Sequence, residues 1–243
     1  MKRRRLDAAL CHHLGLTRSE AKTRIRAGRV TVAGASERDA GRRVGEEPLT
    51  LDGEPIEPVP DVVHLLLHKP AGYVCSHDQR EGPSVYDLLP PRLAAAGPEA
   101  AGRLDRDTTG LLILTTDGQL LHRLIAPQAK VPKRYRVRYT GRLRKDAVAR
   151  CQAGFDLPDE RRDKPTRPAR LEIHDDHRAT LVLSEGRYHQ VKRMFASLGA
   201  TVTALHRDRI GELELPADLP PGACRAATAE ELLSAQERTP RAG

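Results

Sequence analysis

Tryptophan is absent from the 243 residues, and aromatic side chains make up only 3% of them, five tyrosines and two phenylalanines. Any core must be built from leucine, valine, isoleucine and alanine, which an apolar content of 39% allows at this length. No apolar run approaches the roughly 18 residues a membrane helix needs, so no spanning segment is expected. The start, Met1 to Arg5 and then Ala8 to Leu10, carries the charge of a secretory leader. Asp7, His12 and His13 break its apolar stretch, no cleavage-like site follows, and a cytoplasmic protein is expected. The four cysteines, Cys11, Cys75, Cys151 and Cys224, lie far apart with no metal or redox spacing, which predicts reduced thiols. Neither His12–His13 nor His189 and His206 has acids or cysteines at ligand spacing, and no glycine-rich phosphate loop occurs. No metal and no organic cofactor are expected.

The basic excess is confined to one end. Residues 1–43 hold 12 Lys/Arg against 4 Asp/Glu, which accounts for the whole net charge of +8; the remaining 200 residues hold 29 of each sign. A one-signed segment of this kind is the footprint of a polyanion, bound through phosphate contacts and counterion release, and it points to nucleic acid. Leu6, Ala9, Leu10 and His13 share a helical face, with Gly15 as the stop. Thr17 and Glu20 form a capping box that opens a second helix. In it Ala21 and Ile25 face inward, and Lys22, Arg24, Arg26 and Arg29 face out. Val30 and Val32, then Leu49 and Leu51, alternate as short strands. Three prolines between Glu54 and Pro60 mark a stiff, extended boundary.

Beyond it, Val62–Leu67 reads as a buried strand, Leu111–Thr115 as another, and Gln119–Ile125 as a helix. Lys133–Tyr139 alternates strictly, with Tyr135, Val137 and Tyr139 on one face and Arg134, Arg136 and Arg138 on the other. Leu171–Ile173 and Thr180–Ser184 form a strand pair; Val191, Met194, Phe195 and Leu198 define an amphipathic helix ended by Gly199. Val202–Leu205 and Glu212–Leu215 complete a largely antiparallel mixed sheet in an α+β domain. The expected division is 1–58 for the basic unit, 59–62 for the linker, 63–235 for the larger domain and 236–243 for a disordered tail.

The segment from Gly102 to Gly118 is the most informative. A loop with Asp105 and Asp107 beside Arg103 and Arg106 runs directly into the apolar strand from Leu111, a rigid support suited to reactive side chains. The plain alternative is a turn with solvated charges. The string Gly102-Arg-Leu-Asp105, however, resembles the motif of the pseudouridine synthases, in the branch that modifies ribosomal RNA and carries an S4-like domain. Arg5-Leu6-Asp7, Thr17-Arg18-Ser19 and Gly28–Gly34 resemble the S4 module. Leu66–Ser76, Lys133-Arg134-Tyr135, Ser184–Met194 and Leu205–Gly211 resemble further segments of the synthase domain, so the likeness spans nearly the whole chain.

The resemblance implies Asp105 as the catalytic carboxylate, Tyr135 as the platform for the extruded base, Leu205 near the other side of that base, and Lys192 as the charge partner of a buried Asp105. It also implies Arg103, Arg187, Arg193 and Arg207 as phosphate-holding or loop-supporting groups, and Arg5, Arg18, Lys22, Arg26 and Arg29 as RNA contacts of the S4-like unit. If the loop is extended, Asp107 points away from Asp105 and serves local hydrogen bonding. Uridine isomerisation breaks N1–C1′ and joins C5 to C1′, needing a carboxylate as nucleophile or base and no redox group. Glu185–Met194 and Leu205–Ile210 favour the small-subunit (16S) rRNA branch, acting on one uridine of naked RNA or of an assembly intermediate, with the enzyme a monomer. A large-subunit (23S) synthase, a non-catalytic ribosome-assembly factor and a nucleoside hydrolase using Asp105 and Asp107 stand as alternatives.

Overall fold

A computed structural model describes residues 3–126, 128–157 and 165–238. Two compact units emerge: one comprises the chain to His64 with Leu89–Glu99 and Thr115–Asp117, the other Leu65–Leu88, Ala100–Leu114 and the chain from Gly118. Among the described residues no helix is long and apolar enough to cross a membrane.

In the first unit the helix Leu6–Leu14 stops at Gly15, whose φ of 70° is left-handed. A Cβ there would also lie 2.9 Å from the carbonyl oxygen of Pro91, so both conformation and close approach require glycine. The capping box forms as expected: Glu20 N–H donates to Thr17 Oγ1 and Thr17 N–H to Glu20 Oε2 at the start of Arg18–Arg26. A four-stranded antiparallel sheet follows in the order Ala35–Glu37, Val30–Val32, Leu49–Leu51, Glu54–Pro55. Leu6, Leu10, Ile25, Val30 and Ile56 close its core. The proline-rich stretch is extended, and it is also tied down. Val59 N–H donates to His13 Nδ1 at 3.1 Å, Val59 O meets His12 Nε2 at 3.2 Å, and Val59 itself is buried. The unit thus runs on through His64 and takes in Leu89–Glu99, where the short helix Pro91–Ala95 occupies the start of the alanine-rich stretch.

The second unit is built on a mixed sheet. Its strands run in the order Arg170–Ile173, Arg178–Leu183, Lys133–Gly141, Ala200–Ile210, Thr109–Thr115, His64–Lys69 and Cys224–Ala226. The first four are antiparallel; Ala200–Ile210 then pairs in parallel with Thr109–Thr115, His206 opposite Thr109. Tyr135, Val137 and Tyr139 are buried as the alternation predicts, and Arg136 and Arg138 are exposed. The helix Gln190–Ser197 lays Met194 and Phe195 onto the sheet, the Phe195 ring 5.4 Å from that of Tyr139. Burying such side chains stabilises by about 1.5–3 kcal/mol each. On the other side Leu120 and Leu124 of Gly118–Ile125 pack with Leu66, Leu111, Ile113 and Ile210.

Ala200–Ile210 is longer than the expected Val202–Leu205, because its polar end is buried rather than exposed. Asp208 accepts from Arg134 Nε and Nη2 at 2.8 and 3.0 Å and from Arg136 Nε at 2.6 Å. Burial raises the Asp208 carboxyl, but the two guanidinium groups outweigh it and hold the group below its ordinary range. Helices at Ala147–Ala153 and Ala229–Ser234 complete the described unit. Of the expected tail, Gln236 accepts from Arg123 Nε at 2.7 Å, and residues 239–243 lie outside the described residues.

Candidate active site

The Asp105 loop is fixed from below by a buried cation. Lys69, at the end of the strand His64–Lys69, has no exposed surface. Its Nζ donates to the carbonyl oxygens of Thr108, Pro70 and Arg106 at 2.7, 3.1 and 3.3 Å, one acceptor for each ammonium proton. A buried ammonium is costly unless so satisfied, and burial lowers the Lys69 pKa. Two of the three carbonyls belong to the turn after Asp105, so the lysine pins that turn to the sheet. Gly72 N–H bonds Arg106 O, Leu104 N–H points at Cys75 Sγ, and buried Leu104 anchors the near side. Gly110 completes the fit: its φ is 116°, and a Cβ there would lie 2.1 Å from Arg207 O.

The loop is a turn, not an extended segment. Thr108 N–H reaches Asp105 O at 3.0 Å. That turn corrects the expectation for Asp107: it brings Asp105 and Asp107 to the same lysine. Lys192 Nζ bonds both oxygens of Asp107, at 2.6 and 2.8 Å, and stands 3.6 Å from Asp105 Oδ2. His189 Nε2 stands 3.6 Å from Asp105 Oδ1. Asp105 is therefore flanked by two nitrogens beyond hydrogen-bond length, while Lys192 rests on its neighbour. Burial raises the Asp107 carboxyl, but the Lys192 bond and charge bring it below the ordinary range. The Asp105–Lys192 pair is not the buried one expected: the side chains keep 27% and 28% of their surface exposed.

Asp105 borders an open cavity of about 1040 Å³. Tyr135, Leu205, Arg103, Arg187 and Arg207 line it too, Leu205 and Arg207 from the strand Ala200–Ile210, Tyr135 from its neighbour, and Arg103 and Arg187 from loops. Lys192 contacts the cavity's carboxylate from behind the lining, and Arg193 lies outside the lining, its Nη1 3.5 Å from Tyr188 O. Several of the expected phosphate contacts are otherwise engaged. Arg187 is nearly buried and braced by Glu185 and the carbonyl of Pro165. Arg207, 1% exposed, donates Nε to Leu111 O at 2.9 Å; its Nη2 has no partner among the described residues. Arg103 is the most exposed of these, its side chain 71% exposed and its Nη2 3.8 Å from Glu81 Oε2. In the basic unit Arg5 and Arg18 converge on the fully buried Asp7, and Arg29 makes a two-pronged pair with Asp52. Lys22 and Arg26 carry no such pair among the described residues.

Three groups at the site escaped the sequence reading. His189, noted there only for lacking ligand spacing, stands 3.6 Å from Asp105, its backbone left-handed, φ 49°, at the cap of Gln190–Ser197. Lys69 and Lys133 appeared only as parts of motifs. Lys133 lines the cavity with Nζ 2.9 Å from Val131 O, and burial together with the Arg207 charge lowers it to about 8. The neighbouring motif residues were visible, but nothing in their spacing shows which side chains converge. Among the described residues no group of three or more His, Cys, Asp or Glu is arranged for a metal ion.

Comparison with known proteins gives this geometry its class. A solved structure described as a pseudouridylate synthase superposes with a TM-score of 0.68 at 38% identity, covering 97% of this chain and all of that one. The model of the RNA pseudouridylate synthase family matches residues 63–197, and that of the S4 domain matches residues 4–47. Ribosomal small subunit pseudouridine synthase A of Pasteurella multocida is 42% identical over 229 residues, 94% of this chain and 97% of its own length. The protein of the same name from Escherichia coli K12 is 42% identical over 231 residues, 95% of this chain and 99% of its own. The chain belongs to the RNA pseudouridylate synthase family and carries an S4 domain.

Proposed function

We propose that the protein converts a uridine of small-subunit (16S) ribosomal RNA to pseudouridine in the cavity bordered by Asp105. The observation that carries this reading is the pairing of a carboxylate held on a rigid turn, flanked by Lys192 and His189 at 3.6 Å, with an open cavity beside it that Tyr135 and Leu205 also line. Tyr135 and Leu205 sit diagonally on neighbouring strands with the same face toward the cavity, since Tyr135 pairs with Arg207 and Val137 with Leu205. Diagonal cross-strand neighbours stand about 7–8 Å apart. Extruding the uridine costs a few kcal/mol, and stacking returns about 1–3 kcal/mol.

Within the cavity Asp105 acts on the reacting nucleotide as nucleophile at C1′ or as proton acceptor. The N1–C1′ bond breaks, the base turns, and C5 bonds to the same C1′; C5 then gives its proton to a base and N1 takes one up, so that no atom is gained or lost. Lys192 offsets the carboxylate's charge without sealing it in a short hydrogen bond, and His189 sets a ring nitrogen 3.6 Å from its other oxygen. Arg207 Nη2 offers a buried donor to a carbonyl of the base, and Arg103 meets the backbone. In the S4 unit Lys22 and Arg26 supply phosphate contacts, while Arg5, Arg18 and Arg29 shape the surface through Asp7 and Asp52. The small-subunit assignment is supported by the names of relatives about 42% identical along almost their whole length. The same reading has a cytoplasmic monomer acting on naked RNA or on an assembly intermediate.

The test is pseudouridine mapping, by carbodiimide adducts, of 16S and 23S rRNA incubated with the wild type and with Asp105→Asn. The wild type should mark one site in 16S RNA. The variant should mark none and keep its RNA affinity within about a few fold. Substantial turnover by Asp105→Asn would remove that carboxylate from catalysis; marking of 23S RNA alone would move the substrate to the other subunit. Release of free uracil would favour a hydrolase.

A further inference from the structure

Tyr188 stands apart from the other aromatic residues of this aromatic-poor chain. Its side chain borders the cavity yet the residue is 77% exposed, whereas the other six aromatics are buried or half-buried. One face of its ring lies on the His189 imidazole, centroids 3.9 Å apart and planes within 20°. The exposure leaves the opposite face to solvent. A single exposed aromatic is ordinary on a protein surface; a floppy one would need no explanation.

This one is held. The loop beneath it is braced by Arg187 N–H to Gln190 Oε1 at 2.9 Å and Gln190 N–H to Arg187 O at 3.2 Å. Gln190 Nε2 donates to Glu185 Oε1 at 2.7 Å, and Arg193 Nη1 lies 3.5 Å from the Tyr188 carbonyl oxygen. His189 adopts φ 49°, a conformation a non-glycine residue takes at a cost of about 1–3 kcal/mol, and that turn is what stacks the two rings. A strained, braced backbone thus presents a flat, exposed ring at the cavity that holds Asp105, whose lining also includes the exposed side chain of Arg103. An aromatic face on a cavity with a cationic lining has the chemistry of a nucleobase platform.

We propose that the open face of Tyr188 stacks an unpaired RNA base directly next to the uridine that enters the cavity, a second base site distinct from Tyr135. The proposal rests on the reading of the Asp105 cavity as the uridine site. The stacked His189 links the two, since its Nε2 stands 3.6 Å from Asp105. Capture of the neighbouring base would hold the strand open at the step where the uridine must leave its helix. A stack is tolerant of sequence, so this site selects for an unpaired neighbour rather than for a particular base.

The experiment uses the full chain and an RNA in which the modified uridine has first been mapped. 2-Aminopurine is placed on each flank of that uridine in turn and mixed with the Asp105→Asn enzyme, which binds without turnover. Quenching is expected at one flank and should vanish with Asp105→Asn/Tyr188→Ala, while Asp105→Asn/Tyr188→Phe retains it. In the otherwise native enzyme, Tyr188→Ala and Tyr188→Leu should raise the half-saturating RNA concentration about 5- to 150-fold with the maximal rate changed less than about threefold. Tyr188→Phe should match the wild type. No quenching at either flank, or a Leu variant that binds as the wild type does, would overturn the proposal. A fall in maximal rate alone would overturn it too, by making Tyr188 a support for His189. If Asp105→Asn turns over normally, it is instead the reading of the cavity that fails.

Discussion

Replacing Asp107 by asparagine isolates the role of the neighbour that holds Lys192. The Asp107 side chain is 69% exposed, so the lost ion pair should cost the fold no more than about 1 kcal/mol. The effect should fall on Asp105. In the wild type Lys192 Nζ is 2.6 Å from Asp107 and 3.6 Å from Asp105. With Asp107 neutral, the ammonium is free to close on Asp105 to an ordinary charged hydrogen bond of about 2.8 Å. At an effective dielectric constant of about 20, shortening the 3.6 Å separation to about 2.8 Å strengthens the attraction by about 1.3 kcal/mol. That stabilises the resting carboxylate against its reaction by roughly tenfold in rate. Single-turnover pseudouridine formation at saturating RNA, with thermal melting and RNA affinity measured beside it, reads the effect. The expected pattern is a rate about five- to tenfold down, melting within a few degrees, affinity nearly unchanged, and an acidic limb of the rate–pH profile displaced downward. Lys192→Ala, which removes the ammonium from both acids, should make the Asp107→Asn change nearly silent in the double variant. An unaltered rate in Asp107→Asn, or full additivity with Lys192→Ala, would refute the idea that Asp107 draws the lysine away.

Two predictions concern the S4 unit. Burial and the charge of His12 lower His13 to about 4, below the 6.5 of a free imidazole. The unfolded chain therefore binds more protons in that window, so stability should fall as pH drops from about 6.5 towards 4 and level off below, by about 3 kcal/mol in all. Urea unfolding across this range should show that slope in the wild type and lose it in His13→Gln; equal slopes would place no titration at His13. Because Lys22 and Arg26 are not held in ion pairs whereas Arg29 is held by Asp52, Lys22→Ala/Arg26→Ala should flatten the plot of log affinity against log salt by about 1.5. Arg29→Ala should change that slope by less than a single free cation does, and a slope untouched by the double variant would remove these two residues from the phosphate surface.

Where the chain could be read from its letters, local physics sufficed. Gly15, the Thr17–Glu20 box and the strict alternation of Lys133–Tyr139 all act within a few residues, and each appears where expected. The same box recurs at Thr228 and Glu231, and the helix it opens was overlooked for want of an apolar face: none of Ala229–Ser234 is buried. Ala147–Ala153 hid for a similar reason, with only Ala147 and Cys151 turned inward. Asp105 was visible through its motif and lies on the cavity, as do Tyr135, Leu205, Arg103, Arg187 and Arg207. Which acid Lys192 grips was not visible, because it depends on a turn that spacing alone does not specify.

The harder failures share one cause. Sequence reading sends charges outward, and this fold buries several. Arg207 and Asp208 truncated the expected strand at Leu205, yet both are inside, and the strand continues through them to Ile210. Lys69 stood in the sequence only as part of a motif, and is a fully buried ammonium under the turn that follows Asp105. Each buried charge needs dedicated partners to offset its desolvation: carbonyls of the loop for Lys69, Leu111 O for Arg207, two arginines for Asp208. Those partners come from distant segments, so each charge clamps pieces of chain that apolar packing, being non-directional, would leave free to slide. Removing Lys69 would take this donor from the carbonyls of Pro70 and Thr108, leave Arg106 O to Gly72 N–H alone, and strip the Asp105 turn of its anchor. The residues hardest to foresee are thus the ones that fix the position of the most legible one.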